Sequence, residues 1–361
     1  MSNKSIPVVY LDNRDYSRMS DPKSTDSSCV EARDRLIALV AADRVHLPFS
    51  WAHVAEMSLD RSTSPAAALA RLRLMEKLAN GQSLRHPAGI VSLEAGATAL
   101  EDRYELGTWH PDPARVRHQV ETAVEELKVF LESRTAAHRA AIYRLATDAS
   151  VSVVMPQSLA AASIFSEDTM RKMLRLILDA NMPGAIELYL SNLTRPSSLC
   201  EVSVARGHPS GVAENFEYLR DRLVQVLRLG RERWKQFERN SEFAKRFQDL
   251  PSDGLVPMFV QQLVPGLCVS DVQRLRGAIF GMKVLMQLYR DGPATGRKIL
   301  PSDGGDILHS FYLPYVDAFS CDGHMVQVLN RIRPTARILS GAPAQIAASI
   351  EDLVNAHERT R

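Results

Sequence analysis

Cysteine is scarce and scattered in this chain: Cys29, Cys200, Cys268 and Cys321 form no C-x-x-C pair. That spacing argues against a zinc ribbon or a disulfide framework, and a reducing cytoplasm is the expected home. Long apolar runs are missing too. The run from Ile6 to Leu11 is too short for a signal-peptide core, and no uncharged stretch is long enough to span a bilayer, so neither secretion nor membrane association is expected. Neither sign of charge dominates. With 44 Lys and Arg against 42 Asp and Glu, the formal net charge is +2, so any nucleic-acid site must be a local basic surface. There is no G-x-S-x-G elbow, no G-x-x-x-x-G-K-[ST] loop and no fixed-period repeat. Serine-hydrolase, P-loop and solenoid readings therefore have no support.

What is present is the composition of a globular protein, 45% hydrophobic and 24% charged over 361 residues. That length exceeds the usual single core, so one domain carrying an insertion, or two domains, is expected. The β-branched and aromatic run Val8 to Leu11 reads as a buried strand that ends at Asp12. A helix over Val30 to Asp43 follows, then a short strand Arg44 to Leu47 halted by Pro48. Ser50 is placed to cap a helix from Trp51 to Asp60, and a helix Ala66 to Ala79 stops at Asn80-Gly81.

Beyond Gly81 the pattern becomes long and helical: Pro113 to Thr147, Ser158 to Asp179, Val212 to Phe247 and Asp271 to Tyr289. Alternation then returns. A helix around Ile307 to Tyr312, strand Ala318 to Cys321, helix His324 to Ile332, strand Arg337 to Leu339 and helix Pro343 to Val354 follow. Strands alternating with helices imply a parallel sheet covered on both faces, here assembled from both ends of the chain. The expected organisation is 1–80 and 302–361 as halves of one α/β domain, with 81–301 as a mainly helical insertion.

In open parallel sheets reactive groups gather beyond the carboxyl ends of the strands. Asp12 and Asp322 both hold that position, Glu56 lies on the helix after the second strand, and Asp306 on the helix before Ala318. Four carboxylates facing one cleft repel one another and favour protonation, and a divalent cation relieves that repulsion. Oxygen-only ligands select Mg²⁺ or Mn²⁺, ions suited to hydrolysing a phosphodiester. An acid after a strand is also an ordinary turn or cap residue.

The segments Tyr10-Leu11-Asp12-Asn13, Leu47-Pro48-Phe49-Ser50 with Glu56, and Asp306 through His309 and Asp317 to Asp322 resemble the PIN domain, in particular bacterial PIN-like variants. The resemblance covers roughly residues 6 to 60 and 303 to 345. It implies a parallel five-stranded α/β/α sandwich and a divalent-metal-dependent nuclease, usually a ribonuclease, with Asp12, Glu56, Asp306 and Asp322 as the acidic quartet that holds Mg²⁺ or Mn²⁺. Arg14 stands where such proteins often have Asn, with Asn13 adjacent, and Ser320 keeps a hydroxyl where Thr is common.

Asn13, His309 and Ser320 are therefore candidate substrate-binding residues. His53 and His309 each lie three residues from a proposed ligand, on its helical face. Arg331 and Arg333, with Arg337, form a basic group near the last strand and are candidates for holding phosphate. A second basic stretch, Arg220 to Phe247, interleaves Trp234, Phe237, Phe243 and Phe247, a pattern suited either to stacking bases or to an ordinary core-facing helix. Asp317 precedes its strand and Asp322 follows it, so Asp317 is expected at the opposite sheet edge as an anchor. The expected substrate is RNA. The rival readings are a nuclease acting on DNA and a catalytically inactive nucleic-acid- or protein-binding module.

Overall fold

The computed structural model describes residues 6–21, 26–59, 64–96, 109–110, 113–148, 167–200, 211–237, 256–257, 260, 272–295 and 297–359. The chain forms two compact units: Met1–Pro111 with Gly211–Arg361, and Asp112–Ser210. The second unit is narrower than the insertion expected over 81–301, because residues 81–111 and 211–301 group with the sheet-bearing unit. The described chain is mostly helical with one small parallel sheet, and among the described residues no helix is long and apolar enough to cross a membrane.

In the first unit, strand β1 (Val9–Tyr10) leads to α1 (Asn13–Ser20), α2 (Ser27–Ala41), α3 (Trp51–Leu59), α4 (Pro65–Ala79) and α5 (Pro87–Gly96). The second unit contains α6 (Pro113–Glu132), α7 (Ala136–Thr147), α8 (Glu167–Leu178) and α9 (Met182–Leu193). The first unit resumes with α10 (Gly211–Phe237), α11 (Arg276–Thr295), α12 (Pro301–Ser310), β2 (Ala318–Ser320), α13 (Gly323–Ile332), β3 (Arg337–Leu339) and α14 (Pro343–Arg359).

The sheet runs β1-β2-β3, all parallel, with Tyr10 opposite Phe319 and Phe319 opposite Ile338. The expected strand Arg44 to Leu47 is reduced to single bridges: His46 pairs in parallel with Val8, and Phe49 with Ser83. Proline at position 48 has no N–H to give a ladder, which keeps this segment from pairing continuously. The two bridges nevertheless extend the parallel array beyond β1 by two more segments.

Burial explains where the helices stand. From Trp51 to Met57 every residue of α3 is buried except Glu56, so this helix is enclosed all round and offers one acid to solvent. Two glycines let its neighbours close in. A Cβ at Gly304 of α12 would stand 2.6 Å from the Arg220 carbonyl of α10, and one at Gly305 would stand 3.3 Å from Glu56 Oε1. Helix α14 is held against α2 by the Arg35–Glu351 ion pair and by Arg44 with Glu358 at 2.8 Å. In the second unit Val120, Val124, Leu127, Met173, Leu174 and Ile177 build a separate core.

The long helix expected over Pro113 to Thr147 is two helices. The Thr135 hydroxyl accepts the His138 N–H at 3.3 Å and starts α7 after a break at Ser133–Arg134. Of the helices expected over Ser158 to Asp179 and Val212 to Phe247, residues 158–166 and 238–247 lie outside the described residues, and with them Phe243 and Phe247.

Candidate active site

Asp12 leaves β1 and becomes the N-cap of α1. Its Oδ1 accepts the Arg14 N–H at 2.9 Å, while the Asp12 N–H donates to Asp15 Oδ2 at 3.2 Å, a reciprocal capping box. Asp322 leaves the neighbouring strand in the same way, capping α13 with Oδ1 accepting the Met325 N–H at 2.8 Å. With Tyr10 opposite Phe319, both carboxylates emerge at one sheet edge. Asp317 is at the other edge, where its Oδ2 accepts the Val8 N–H at 2.8 Å.

The four acids Asp12, Glu56, Asp306 and Asp322 line one cavity of about 750 Å³. Their surroundings differ. Asp306 lies in the second turn of α12, whose start is capped instead by buried Asp303, the acceptor of the Leu300 N–H at 2.8 Å and of Arg297 at 2.7 Å. Among the described residues no donor reaches the Asp306 carboxylate. Burial, then the charges of Asp322, Asp12 and Glu56, push its pKa well above the usual range. Burial likewise raises Asp12, outweighing the Arg14 amide that it accepts.

Glu56 goes the other way. Burial would raise it, but the hydrogen bond and charge of His309, then the Asn13 hydrogen bond and the nearby Arg220 charge, prevail and hold it below the ordinary value. His309 Nε2 is 3.1 Å from Glu56 Oε2, and its Nδ1 is 2.6 Å from the Tyr10 hydroxyl. A carboxylate only accepts, so Nε2 donates to Glu56, while Nδ1 shares a hydrogen bond with the Tyr10 hydroxyl. Burial raises the Tyr10 pKa and keeps the phenol protonated. Its oxygen also meets Ser50 Oγ at 2.7 Å. The result is a relay of hydrogen bonds, Ser50–Tyr10–His309–Glu56–Asn13, that fixes one carboxylate of the cavity.

Asn13 lines the cavity and donates to Glu56 through Nδ2. His309 and Ser320 also line it, but the Ser320 hydroxyl is committed, donating to buried Asp15 at 2.5 Å. His53 is fully buried. Its Nδ1 accepts the Ser50 N–H at 3.1 Å and its Nε2 donates to the Leu11 carbonyl at 2.7 Å, so both nitrogens serve the fold. Burial keeps this ring neutral.

Arg331 and Arg333 do not line the cavity, contrary to expectation. They stand at the C-terminal end of α13, a ten-residue helix whose N-cap is Asp322, and so about 15 Å along the axis from it. Arg331 pairs with Asp291, and Arg333 takes the left-handed C-cap conformation with φ of 57°. The arginines that do line the cavity are Arg14, Arg18, Arg71 and Arg220. Of these only Arg220 is expected near nucleic acid from the sequence, as the start of the basic stretch Arg220 to Phe247; Arg14, Arg18 and Arg71 carry no such expectation. Arg14 and Arg18 carried a usable signal, four residues apart on the helix that Asp12 caps, and so did the Asp12-x-x-Asp15 box.

Cys321 also lines the cavity, but burial and the charges of Asp12, Asp322 and Asp306 push its pKa up, so the thiol stays protonated and is not a nucleophile. Among the described residues no group of three or more His, Cys, Asp or Glu side chains is placed to hold a metal ion. The donor set still suits a hard divalent cation. It is all carboxylate, and one member, Asp306, has no donor among the described residues and faces three like charges. No known family, no curated protein and no solved structure matches the chain.

Proposed function

We propose that this protein is a PIN-like nuclease that hydrolyses phosphodiester bonds, with RNA as its substrate and Mg²⁺ or Mn²⁺ as its cofactor. One observation carries the reading: carboxylates from four separate elements line a single cavity, and one of them, Asp306, has no hydrogen-bond donor among the described residues while facing the other three. The parallel array extended by the His46 and Phe49 bridges supports the PIN-like part.

Asp12, Glu56, Asp306 and Asp322 would hold the cation. When bound, it supplies positive charge at the phosphate and lowers the pKa of water. The protein's own groups set the stage. The caps of α1 and α13 aim Asp12 and Asp322 from adjacent strand ends, and His309 with Asn13 holds Glu56 ionised and oriented. Buried Asp15, bonded to both the Asp12 amide and Ser320, ties the two strand ends together.

A second reading, a non-catalytic nucleic-acid- or protein-binding module, is favoured by the absence, among the described residues, of any group of three or more side chains placed to hold a metal ion and by the prior engagement of Glu56. The two separate on metal binding, because a cation that binds only the native state raises its melting temperature by mass action. Mn²⁺ should raise the melting temperature of the parent chain and leave Asp12→Asn unmoved, while the two metal-free proteins melt within a few degrees of each other. Equal shifts in both proteins would remove Asp12 from the site. No shift in either would favour the binding module.

A further inference from the structure

Carboxylates alone cannot attract a nucleic acid, because the backbone is itself a polyanion. The same cavity answers this with four guanidinium groups from three helices: Arg14 and Arg18 on α1, Arg71 on α4 and Arg220 on α10. Four formal positive charges thus stand against four negative ones, contributed by different parts of the chain.

The guanidinium groups are held in place. Arg14 Nη2 donates to the Cys321 carbonyl at 3.1 Å, the residue next to Asp322. Arg18, one helical turn further and exposed, donates to the Gly341 carbonyl at 3.3 Å. Arg220 donates to Asp221 at 2.9 Å, and it stands by the acids because Gly304 lets α10 approach α12. Arg71 is buried, 7% exposed, an uncommon state for an arginine that lines a cavity. A planar fork of N–H donors matches phosphate oxygens bidentately, and orienting it beforehand reduces the entropy lost on binding.

We infer that Arg14, Arg18, Arg71 and Arg220 grip phosphates on either side of the one presented to the carboxylates, so that the cavity takes an unpaired nucleic-acid strand several nucleotides long. This inference rests on the nuclease reading above and names its substrate class. A recess of about 750 Å³ is of small-ligand size, and only a strand freed from pairing can send its backbone into it. The arginines contact backbone, so they select strandedness and length, not sequence.

The test is fluorescence anisotropy with labelled 12-nucleotide single-stranded RNA, single-stranded DNA of the same sequence and duplex RNA, using the full chain carrying Asp12→Asn to suppress cleavage. In that background Arg18→Ala and Arg220→Ala should each weaken single-strand binding about 3- to 10-fold and flatten the dependence of log K on log salt by about 0.7. Arg18→Lys should recover most of the affinity, and Arg359→Ala, an exposed arginine at the end of α14 outside the cavity, should change neither quantity. Unchanged affinity and slope in both alanine variants would overturn the inference, as would duplex binding as tight as single-strand binding or no single-strand binding at all. The RNA and DNA arms show which sugar the cleft prefers. Arginine-dependent binding by a parent chain that never cuts RNA would sink the nuclease reading and keep the grip, whereas cleavage with arginine-independent binding would do the reverse.

Discussion

At the scale of single residues, the four acids are one residue class in four different situations. Glu56 is clamped by two donors, Asp12 and Asp322 each cap a helix, and Asp306 has no donor among the described residues. Asp306 is therefore the member that costs the metal-free fold most, since its charge is buried against three others. Replacing it by Asn, nearly isosteric and neutral, should stabilise the metal-free protein at pH 8 by something of the order of 1 kcal/mol. The same change should abolish stabilisation by Mn²⁺. Paired melting curves with and without Mn²⁺ check this, and an Asp306→Asn variant that is less stable without metal yet still stabilised by it would show that the acid serves only the fold.

At the scale of elements, the helix contacts around the cavity depend on glycine. Gly304 stands inside α12, where Ala would ordinarily favour the helix by about 1 kcal/mol. Here its Cβ would meet the backbone of Arg220 at 2.6 Å, so Gly304→Ala should destabilise by about 1–3 kcal/mol through overpacking and should displace Arg220 from the acids. Urea midpoints of the two proteins measure the first effect, and unchanged or raised stability would contradict the close packing.

A second element-scale outcome concerns His86, just before α5, whose Nδ1 accepts the Ala88 N–H at 3.1 Å. Burial lowers its pKa from 6.5 to about 3. The unfolded chain takes up this proton near pH 6.5 while the folded chain refuses it until about pH 3, so stability is complete above 6.5 and falls as the pH drops. By linkage the loss at pH 5 is about 2 kcal/mol. His86→Asn should shrink the difference between the pH 8 and pH 5 urea midpoints. An undiminished difference would place the acid sensitivity elsewhere.

Several of these elements could be read directly from the chain. Residue types and capping signals placed β3, the end of α4 at Asn80 and the start of α14 at Pro343, because local sequence sets strand ends and helix caps. The strand expected at Arg44 to Leu47 survives as isolated bridges because pairing there depends on neighbours from elsewhere in the chain and on the gap that Pro48 leaves. Helix α1 is absent from the sequence expectations although its capping box stands at Asp12 and Asp15, because eight residues with few apolar positions give little helical periodicity.

At the scale of the whole molecule, the chain is divided into two units with separate cores, and the described residues that line the acidic cavity belong to the first. The acids were legible because a carboxylate just past a strand is a local pattern. Of the arginines, Arg14 and Arg18 carry a local signal on the helix that Asp12 caps, whereas Arg71 and Arg220 reach the cavity only through the packing of α4 and α10, and no spacing in the sequence announces that. Arg331 and Arg333 misled for the complementary reason: close to Asp322 in sequence, they are separated from it by the length of α13.

The proposed nuclease activity depends on a divalent cation held by the four carboxylates. The most direct measurement is cleavage of end-labelled single-stranded RNA by the full chain after EDTA treatment and desalting, without added metal and with Mn²⁺ or Mg²⁺ returned, beside Asp12→Asn, Asp306→Asn and Asp322→Asn. The stripped protein should not cleave, activity should recover on adding metal, and each variant should lose at least 100-fold, about 2.7 kcal/mol in barrier. Cleavage that survives stripping, or that persists undiminished in all three variants, would contradict that dependence.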